Sequence, residues 1–381
     1  MLVYIINYIT YYPYGRFLKN KKTISYLISA QLFLILVLRS VSVGWVDLSN
    51  YKAGYSYISN LSFIDLLLSL RLVSVAKLVF PFSYESGYVI LNWLFAKVGC
   101  TFEIFLVFYS AFCILSIKHF IDQNSDIGYL SFALFTALGM YTYSFYVLRQ
   151  TLAICILLFS VSFIKKRKII PFLLIVFAAF TVHRISIIFM PLYFVYNLKV
   201  TKKLYIIVTS AIVVLLFTAP VLYRFVINPL LIFIGKQSFA DINYSFNFKI
   251  LLMLVIFAGI FVIGNFESLF DSDINRLAFY GFTLSIPIEI LGMCNEGFAR
   301  QVDVLFIFVI ILIPNLISAC AYAPNSFFDK IIFKKIPVSA KLYIEKHFSV
   351  IAETTVYIAF LIFYIYTLRT SYIVPYKAFW Q

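Results

Sequence analysis

Arg149 opens an apolar run, in Tyr146-Val147-Leu148-Arg149-Gln150-Thr151-Leu152-Ala153. A guanidinium next to lipid is costly and therefore informative. Arginine binds carboxylate or phosphate oxygens through paired, charge-assisted hydrogen bonds. Similar residues stand at other junctions between apolar runs. His183 and Arg184 interrupt the stretch Ile169 to Leu198, and a histidine, titrating near pH 6.5, suits proton transfer. Arg39 closes another run, with Asp47 and Tyr51 after it. Glu85 lies in Tyr84-Glu85-Ser86-Gly87-Tyr88, and Arg300 with Gln301 heads a late run beside Glu296 and Asp303. Asp47 or Glu85 could replace His183 as a base. Each residue also has a structural reading. Arg149 and Arg184 can snorkel to headgroups. His183 can be a satisfied turn histidine, Arg300 can pair with Glu296 or Asp303, and Asp47 can cap a helix. Tyr51 can be an interfacial aromatic, and Glu85 a turn residue.

The elements that must position these groups are membrane helices. The chain has 381 residues, 63% hydrophobic and 12% charged, where soluble domains carry about 25% charged residues. Apolar stretches of about 18 or more residues recur throughout. They are continuous rather than alternating, so helices are expected and not a barrel. The expected fold is all-α: one polytopic transmembrane bundle over 1–381, with about 10–12 membrane segments. The net charge of +15 sits in clusters, Arg16 to Lys22, Lys165 to Lys168, Lys199 to Lys203 and Lys330 to Lys346. Clusters between apolar runs follow the positive-inside rule and argue against nucleic acid as partner. The 29 tyrosines and 43 phenylalanines read as lipid-facing bulk and interface belts.

With the basic clusters inside, spans fall at about 2–15, 24–41, 101–120, 127–146, 147–164, 204–222, 249–265, 277–293, 301–322 and 348–367. Residues 42–100 form an external interfacial region, in which 58–80, broken by Asp65, Arg71 and Lys77, lies in the interface. Residues 87–98 form a second short element, and 223–248 an external loop. Basic residues flank both ends of 169–198, which is too short for two full spans, so a helical hairpin is expected with its tip at Thr181, His183 and Arg184. This parity puts Arg39, Asp47, Tyr51, Glu85, Arg149, Gln150, His183, Arg184 and Arg300 at the outer face.

Other chemistries find little support. The five cysteines are scattered, with no metal spacing or disulfide framework. Asp271-Ser272-Asp273 looks like a metal-holding acidic pair but sits beside Arg276 in a short loop, and reads as a solvated turn. No HExxH, P-loop or GxSxG is present, and no cofactor is expected. Met1 to Thr10 lacks a basic leader and a cleavage site and reads as part of the first helix.

The stretch Tyr146 to Lys168 resembles the EpsG family, Wzy-type polysaccharide polymerases of bacterial envelopes. So does the short helix ending in His183, followed by Ser186 and Pro191. Arg39, Val43-Gly44, Asp47 and Tyr51 are similar to an early family segment. Glu85 to Leu91 resembles its Glu-x-Gly-Tyr element, and Val374-Pro375-Tyr376 its C-terminal Pro-Tyr. Arg184 departs from the small or polar residue that the family places after the histidine. The resemblance implies a multi-pass protein of the bacterial cytoplasmic (inner) membrane. Its substrate would be an oligosaccharide repeat unit on undecaprenyl diphosphate, already at the outer face, and a chain-length regulator is a possible partner. It also implies catalytic roles for His183, Arg149 and Asp47, and substrate binding by Arg300, Arg39, Tyr51, Glu85, Gln150 and Arg184. The competing classes are a lipid-linked oligosaccharide flippase, an O-antigen ligase and a membrane acyltransferase. The last would need a cytoplasmic histidine with an acid, for which His119 and Asp122 are the one pair.

Overall fold

The structure, a computed structural model, describes all residues except 41, 43–44, 71–83, 234–243, 245–246, 264–268, 296–297, 299, 322–337, 370, 372 and 379–381. Val43-Gly44, Arg71, Lys77, Glu296, Lys330, Lys334 and Lys335 lie outside the described residues. Every regular element described is a helix. Five helices are long and apolar enough to cross a bilayer: Phe102–Asn124, Leu148–Lys165, Lys202–Leu230, Asp303–Cys320 and His347–Arg369. Shorter apolar helices cover Gly128–Ala137, Ile169–Val182, Arg184–Val195 and Phe248–Phe261. Backbone contacts group the chain into two compact units, Met1–Tyr193 with Thr354–Gln381, and Phe194–Glu353.

In the first unit, α1 (Leu2–Ile9) and α2 (Tyr11–Phe17) replace the single helix expected over 2–15. Pro13 lacks the N–H that would bond Ile9, and the helix steps at Thr10. Tyr4, Tyr8 and Tyr11 recur at helical spacing and are fully buried, not spread at the lipid interface as composition implied. Tyr4 donates to the Ile373 carbonyl at 3.0 Å. Tyr8 donates to the Tyr357 carbonyl at 3.2 Å, and Tyr357 donates back to that of Tyr8 at 2.5 Å. These reciprocal bonds fix the first helix to the last, Val338–Arg369. Buried aromatic rings with bonded hydroxyls pack firmly. α3 (Lys21–Val37) is capped by Asn20, whose side chain accepts from the amides of Lys22 and Thr23.

The expected external region holds α4 (Trp45–Ser59), α5 (Phe63–Leu70) and α6 (Ser86–Lys97). Asp65 does not interrupt a helix; it starts one. Its carboxylate accepts from the Ser62 amide at 3.2 Å, and its own amide donates to the Ser62 hydroxyl at 3.1 Å, a capping box. α7 (Phe102–Asn124) packs on α3. The span expected over 127–146 is broken: α8 (Gly128–Ala137) stops before Gly139, which takes φ +86°, and the short α9 (Met140–Tyr143) follows. α10 (Leu148–Leu158) and α11 (Val161–Lys165) carry the next run, and α10 packs on α7. The hairpin forms as expected. α12 (Ile169–Val182) ends at His183, which is extended. A 3-10 turn, Arg184–Phe189, and α13 (Pro191–Val195) lead back until Tyr193 stacks on Phe172 at 5.0 Å.

In the second unit, α14 (Lys202–Leu222) does not stop where an external loop was expected. A π turn, Tyr223–Ile227, carries it into α15 (Asn228–Phe233). Pro229 has no N–H for the α-helical ladder, and the wider turn lies directly before it. α16 (Phe248–Ile263), α17 (Asp273–Gly292), α18 (Asp303–Phe306) and α19 (Val309–Ala321) follow. α17 is the core of the unit, buried over most of its circumference. Gly281 lets α17 approach closely, since a Cβ there would lie 2.3 Å from the Phe308 ring.

Candidate functional site

Two ends of the first unit differ in chemistry. At one end Lys21 donates to the Asp126 carbonyl at 3.2 Å, and Lys165 to Asn124 Oδ1 at 3.2 Å. Lys118 pairs with Asp122 at 2.6 Å, and Arg167 donates to the Tyr193 carbonyl at 2.7 Å. The other end holds the start of α6, the start of α10 and the end of α12, about 20 Å away along α12. There Glu85, Arg149 and His183 come together.

Arg149 is the second residue of α10. A cation there faces the positive end of the helix dipole, so it needs an anion. Glu85 supplies one: Arg149 Nη1 donates to Glu85 Oε2 at 2.5 Å, with side chains 17% and 13% exposed. Arg149 Nε also donates to the Tyr51 hydroxyl at 3.4 Å. Its guanidinium lies over the Tyr84 ring at 4.8 Å and the Tyr51 ring at 5.9 Å. Those rings stack on each other at 5.7 Å, and Tyr88 meets Tyr84 edge-on at 5.4 Å. Glu85 stands at the N-cap of α6 but its side chain makes no cap bond. Its second oxygen instead accepts from the Arg184 amide at 3.4 Å.

His183 sits at the hairpin tip, and its Nδ1 accepts from the Ile185 amide at 3.3 Å. In a neutral imidazole the other nitrogen, Nε2, then carries the proton. Burial pushes the His183 pKa below the ordinary histidine value; Glu85 opposes this, while Arg149 and Arg184 add to it. The neutral ring in this tautomer presents Nε2–H as a hydrogen-bond donor.

Gly87 explains how the hairpin tip reaches Glu85. A Cβ at Gly87 would lie 2.3 Å from Thr181 Oγ1 and 2.8 Å from the Thr181 carbonyl oxygen. No side-chain rotation relieves the second clash. Gly87→Ala is therefore expected to push α6 from the hairpin and lower stability by about 1–3 kcal/mol, the usual cost of overpacking. Thermal unfolding in detergent checks it.

The sequence model of the EpsG family matches residues 22–357. The chain belongs to the EpsG family. The family is that of Wzy-type polysaccharide polymerases, so this is a multi-pass membrane protein with a polymerase-type role in polysaccharide biosynthesis. No curated protein and no solved structure matches the chain.

Of the residues singled out in this EpsG chain, Tyr51, Glu85, Arg149, His183 and the Arg184 amide share one site. Asp47 is exposed in the first turn of α4. Gln150 is buried beside Arg149, and the Arg184 side chain is exposed. Arg300 belongs to the second unit, where it is exposed. Arg39, expected to contact substrate, is only 3% exposed. It donates from Nε to the Phe145 carbonyl at 3.2 Å and from Nη1 to that of Leu36. Its neighbour Ser40 donates to the Lys377 carbonyl at 2.8 Å, and the Tyr376 hydroxyl to that of Ile35 at 3.1 Å. Arg39 thus ties the end of α3 to the chain four residues before Arg149. Arg39→Ala is expected to cost about 1–3 kcal/mol of stability by orphaning a buried carbonyl. It should lower Tm in detergent yet leave the protein's affinity for pyrophosphate within about threefold, less than the loss of one hydrogen bond to a charged group.

Tyr84 and Tyr88 were quoted only as neighbours of Glu85. The EpsG chain also holds an ionic group that the sequence reading left unused, Lys249 with Glu289 and Asp303 in the second unit. An acid inside the apolar run Ile286-Pro287-Ile288-Glu289-Ile290 was the available signal.

Proposed function

We propose that this protein polymerises oligosaccharide repeat units carried on undecaprenyl diphosphate at the outer face of the bacterial cytoplasmic membrane. The observation that carries this reading is the Arg149–Glu85 pair, an arginine at a helix N-terminus paired with a carboxylate side chain. A diphosphate exceeds a carboxylate in charge and in acceptor oxygens, so it competes for the same donors. The separation of the site from the lysine-rich end supports the outer face under the positive-inside rule.

The transfer joins two units. The acceptor hydroxyl attacks the anomeric carbon of the chain held on the other carrier. The new C–O bond forms as the bond from that carbon to the diphosphate oxygen breaks, and the lipid diphosphate leaves with the electron pair. Arg149 and the His183 Nε2–H hold the charge that grows on the leaving oxygen. Glu85, released from Arg149 by the diphosphate, takes the proton of the acceptor hydroxyl. Tyr51 and Tyr84 offer aromatic faces beside the reacting sugar.

His183 sets the expected pH dependence. Its depressed pKa keeps the ring neutral down to pH values below 6.5. Protonation at Nδ1 would break the bond from Ile185 and add a positive charge beside Arg149 and Arg184. Turnover should therefore hold through neutrality and fall with a midpoint below 6.5, and His183→Gln should lose that limb. Initial rates measured from pH 5 to 8 check it; a midpoint above 6.5 excludes His183 as its origin.

The rival readings meet specific obstacles. Asp122, the acid that an acyltransferase would need beside His119, is paired with Lys118 at 2.6 Å, and His119 stacks on Phe159 at 5.8 Å. A flippase needs charges along a path, whereas Glu85, Arg149 and His183 gather at helix ends. A gel of surface and lipid-linked glycans from cells with and without the gene tests the reading. Collapse of the ladder to single repeat units supports a polymerase. Persistence of polymer on the lipid carrier indicates a ligase, and failure of single units to reach the surface a flippase.

A further inference from the structure

We propose that Asn247, Lys249, Glu289 and Asp303 form a second binding site in the other unit, one that takes the uncharged, hydroxyl-rich sugar of a substrate. The place of this site in polymerisation rests on the reading above, whereas its ligand class comes from the residues themselves.

Lys249 Nζ donates to Asp303 Oδ1 at 2.9 Å and lies 3.7 Å from Glu289 Oε2. Asn247 Nδ2 donates to Glu289 Oε1 at 2.7 Å. Glu289 is 1% exposed, and its Oε2 makes no hydrogen bond. A buried carboxylate oxygen without a donor is costly, so the group calls for a further donor at that oxygen. Two carboxylates against one ammonium leave an excess of negative charge, which repels a diphosphate and favours an uncharged donor. The carboxylates only accept, the ammonium only donates and the carboxamide does both. Sugar hydroxyls, each a donor and an acceptor, complement that set.

The placement fits a ligand arriving from one side. Asn247 precedes α16 and caps it, accepting from the Ile250 amide at 2.9 Å, and Lys249 is in the first turn. Glu289 is in the last turn of α17, and Asp303 opens α18. All four therefore sit at helix ends and do not form a path through the midplane. Near the opposite end of α17, Arg276 donates to the Tyr196 carbonyl at 3.0 Å and Tyr280 to that of Leu198 at 2.9 Å, next to the Lys199 to Lys203 cluster. Glu289 lies about 24 Å along α17 from Asp273. With the lysines inside, the group faces outward.

The test uses full-length protein in nanodiscs. The probe is the repeat-unit oligosaccharide released from the host's lipid-linked pool by mild acid, which carries no diphosphate. Saturation-transfer NMR reads its affinity. Wild-type protein should bind the probe, and Glu289→Gln and Asp303→Asn should each weaken binding at least tenfold. Hydrogen exchange on the wild-type protein needs no variant to fold, and the probe should slow exchange around Glu289 and Asp303. The proposal is overturned if wild type does not bind, if both variants bind unchanged, or if exchange around the group is unaffected. Failure of the polymerase reading shows separately, as an unchanged glycan ladder in cells lacking the gene.

Discussion

Arg149→Ala should lower the polymerisation rate at least 100-fold, the usual cost of removing one preorganised donor from a site of growing negative charge. The effect is large because little else at that site can replace the guanidinium. Two of its bonds hold Glu85 and Tyr51, and its guanidinium lies over the Tyr84 ring. Arg149→Lys keeps the charge but loses the planar fork and the stacking, so it should recover only a small part of the rate. The check is the initial rate of polymer formation by purified protein at saturating substrate. A rate within threefold of wild type for Arg149→Ala would remove Arg149 from the chemistry. Loss of the Arg149–Glu85 pair also destabilises the fold, so Tm is measured alongside to separate unfolding from lost catalysis.

Glu85→Gln should separate binding from turnover, with opposite signs. In the substrate-free protein the carboxylate occupies Arg149, so a diphosphate must displace it. Glutamine is nearly isosteric but neutral and competes less. Pyrophosphate, as the probe, should bind Glu85→Gln about tenfold more tightly, a difference of about 1.4 kcal/mol. The same variant should turn over at least 100-fold more slowly, because a general base contributes about 10²–10⁴. A purely structural salt bridge gives a different result, with weaker binding and slower turnover together. Isothermal titration with pyrophosphate and single-turnover rates on one preparation distinguish the two.

The helical class was legible because lipid leaves few choices: continuous apolar runs must be helices. The hairpin was legible for a related reason, since basic residues at both ends of 169–198 left too little chain for two spans. Breaks within spans were not. Gly139 and Pro13 interrupt runs whose hydropathy does not change, and a π turn extends α14 through what read as a loop. Hydropathy reports the solvent, whereas these breaks are backbone events. Asp65 misled for another reason, because the charge that seemed to interrupt a helix caps one.

At the candidate site, residue type and spacing singled out Arg149, His183, Glu85 and Tyr51 but not their connections. The Arg149–Glu85 pair joins residues 64 apart in sequence, and nothing local reports it. The His183 tautomer depends on one amide, that of Ile185. Arg39 is buried, although a charge ending an apolar run looks exposed. The C-terminal segment around Tyr376 and Lys377 covers it, and no sequence signal joins residues more than 300 apart.

The most direct measurement is reconstitution of the purified protein in liposomes with lipid-linked repeat units as the sole substrate, following glycan length and free lipid diphosphate together. A lengthening ladder, with one undecaprenyl diphosphate released for each new linkage, is the expected result, and Arg149→Ala should abolish both signals. Repeat units that stay single with no diphosphate released by the folded wild-type protein would contradict the central claim. So would a ladder that forms equally well without Arg149.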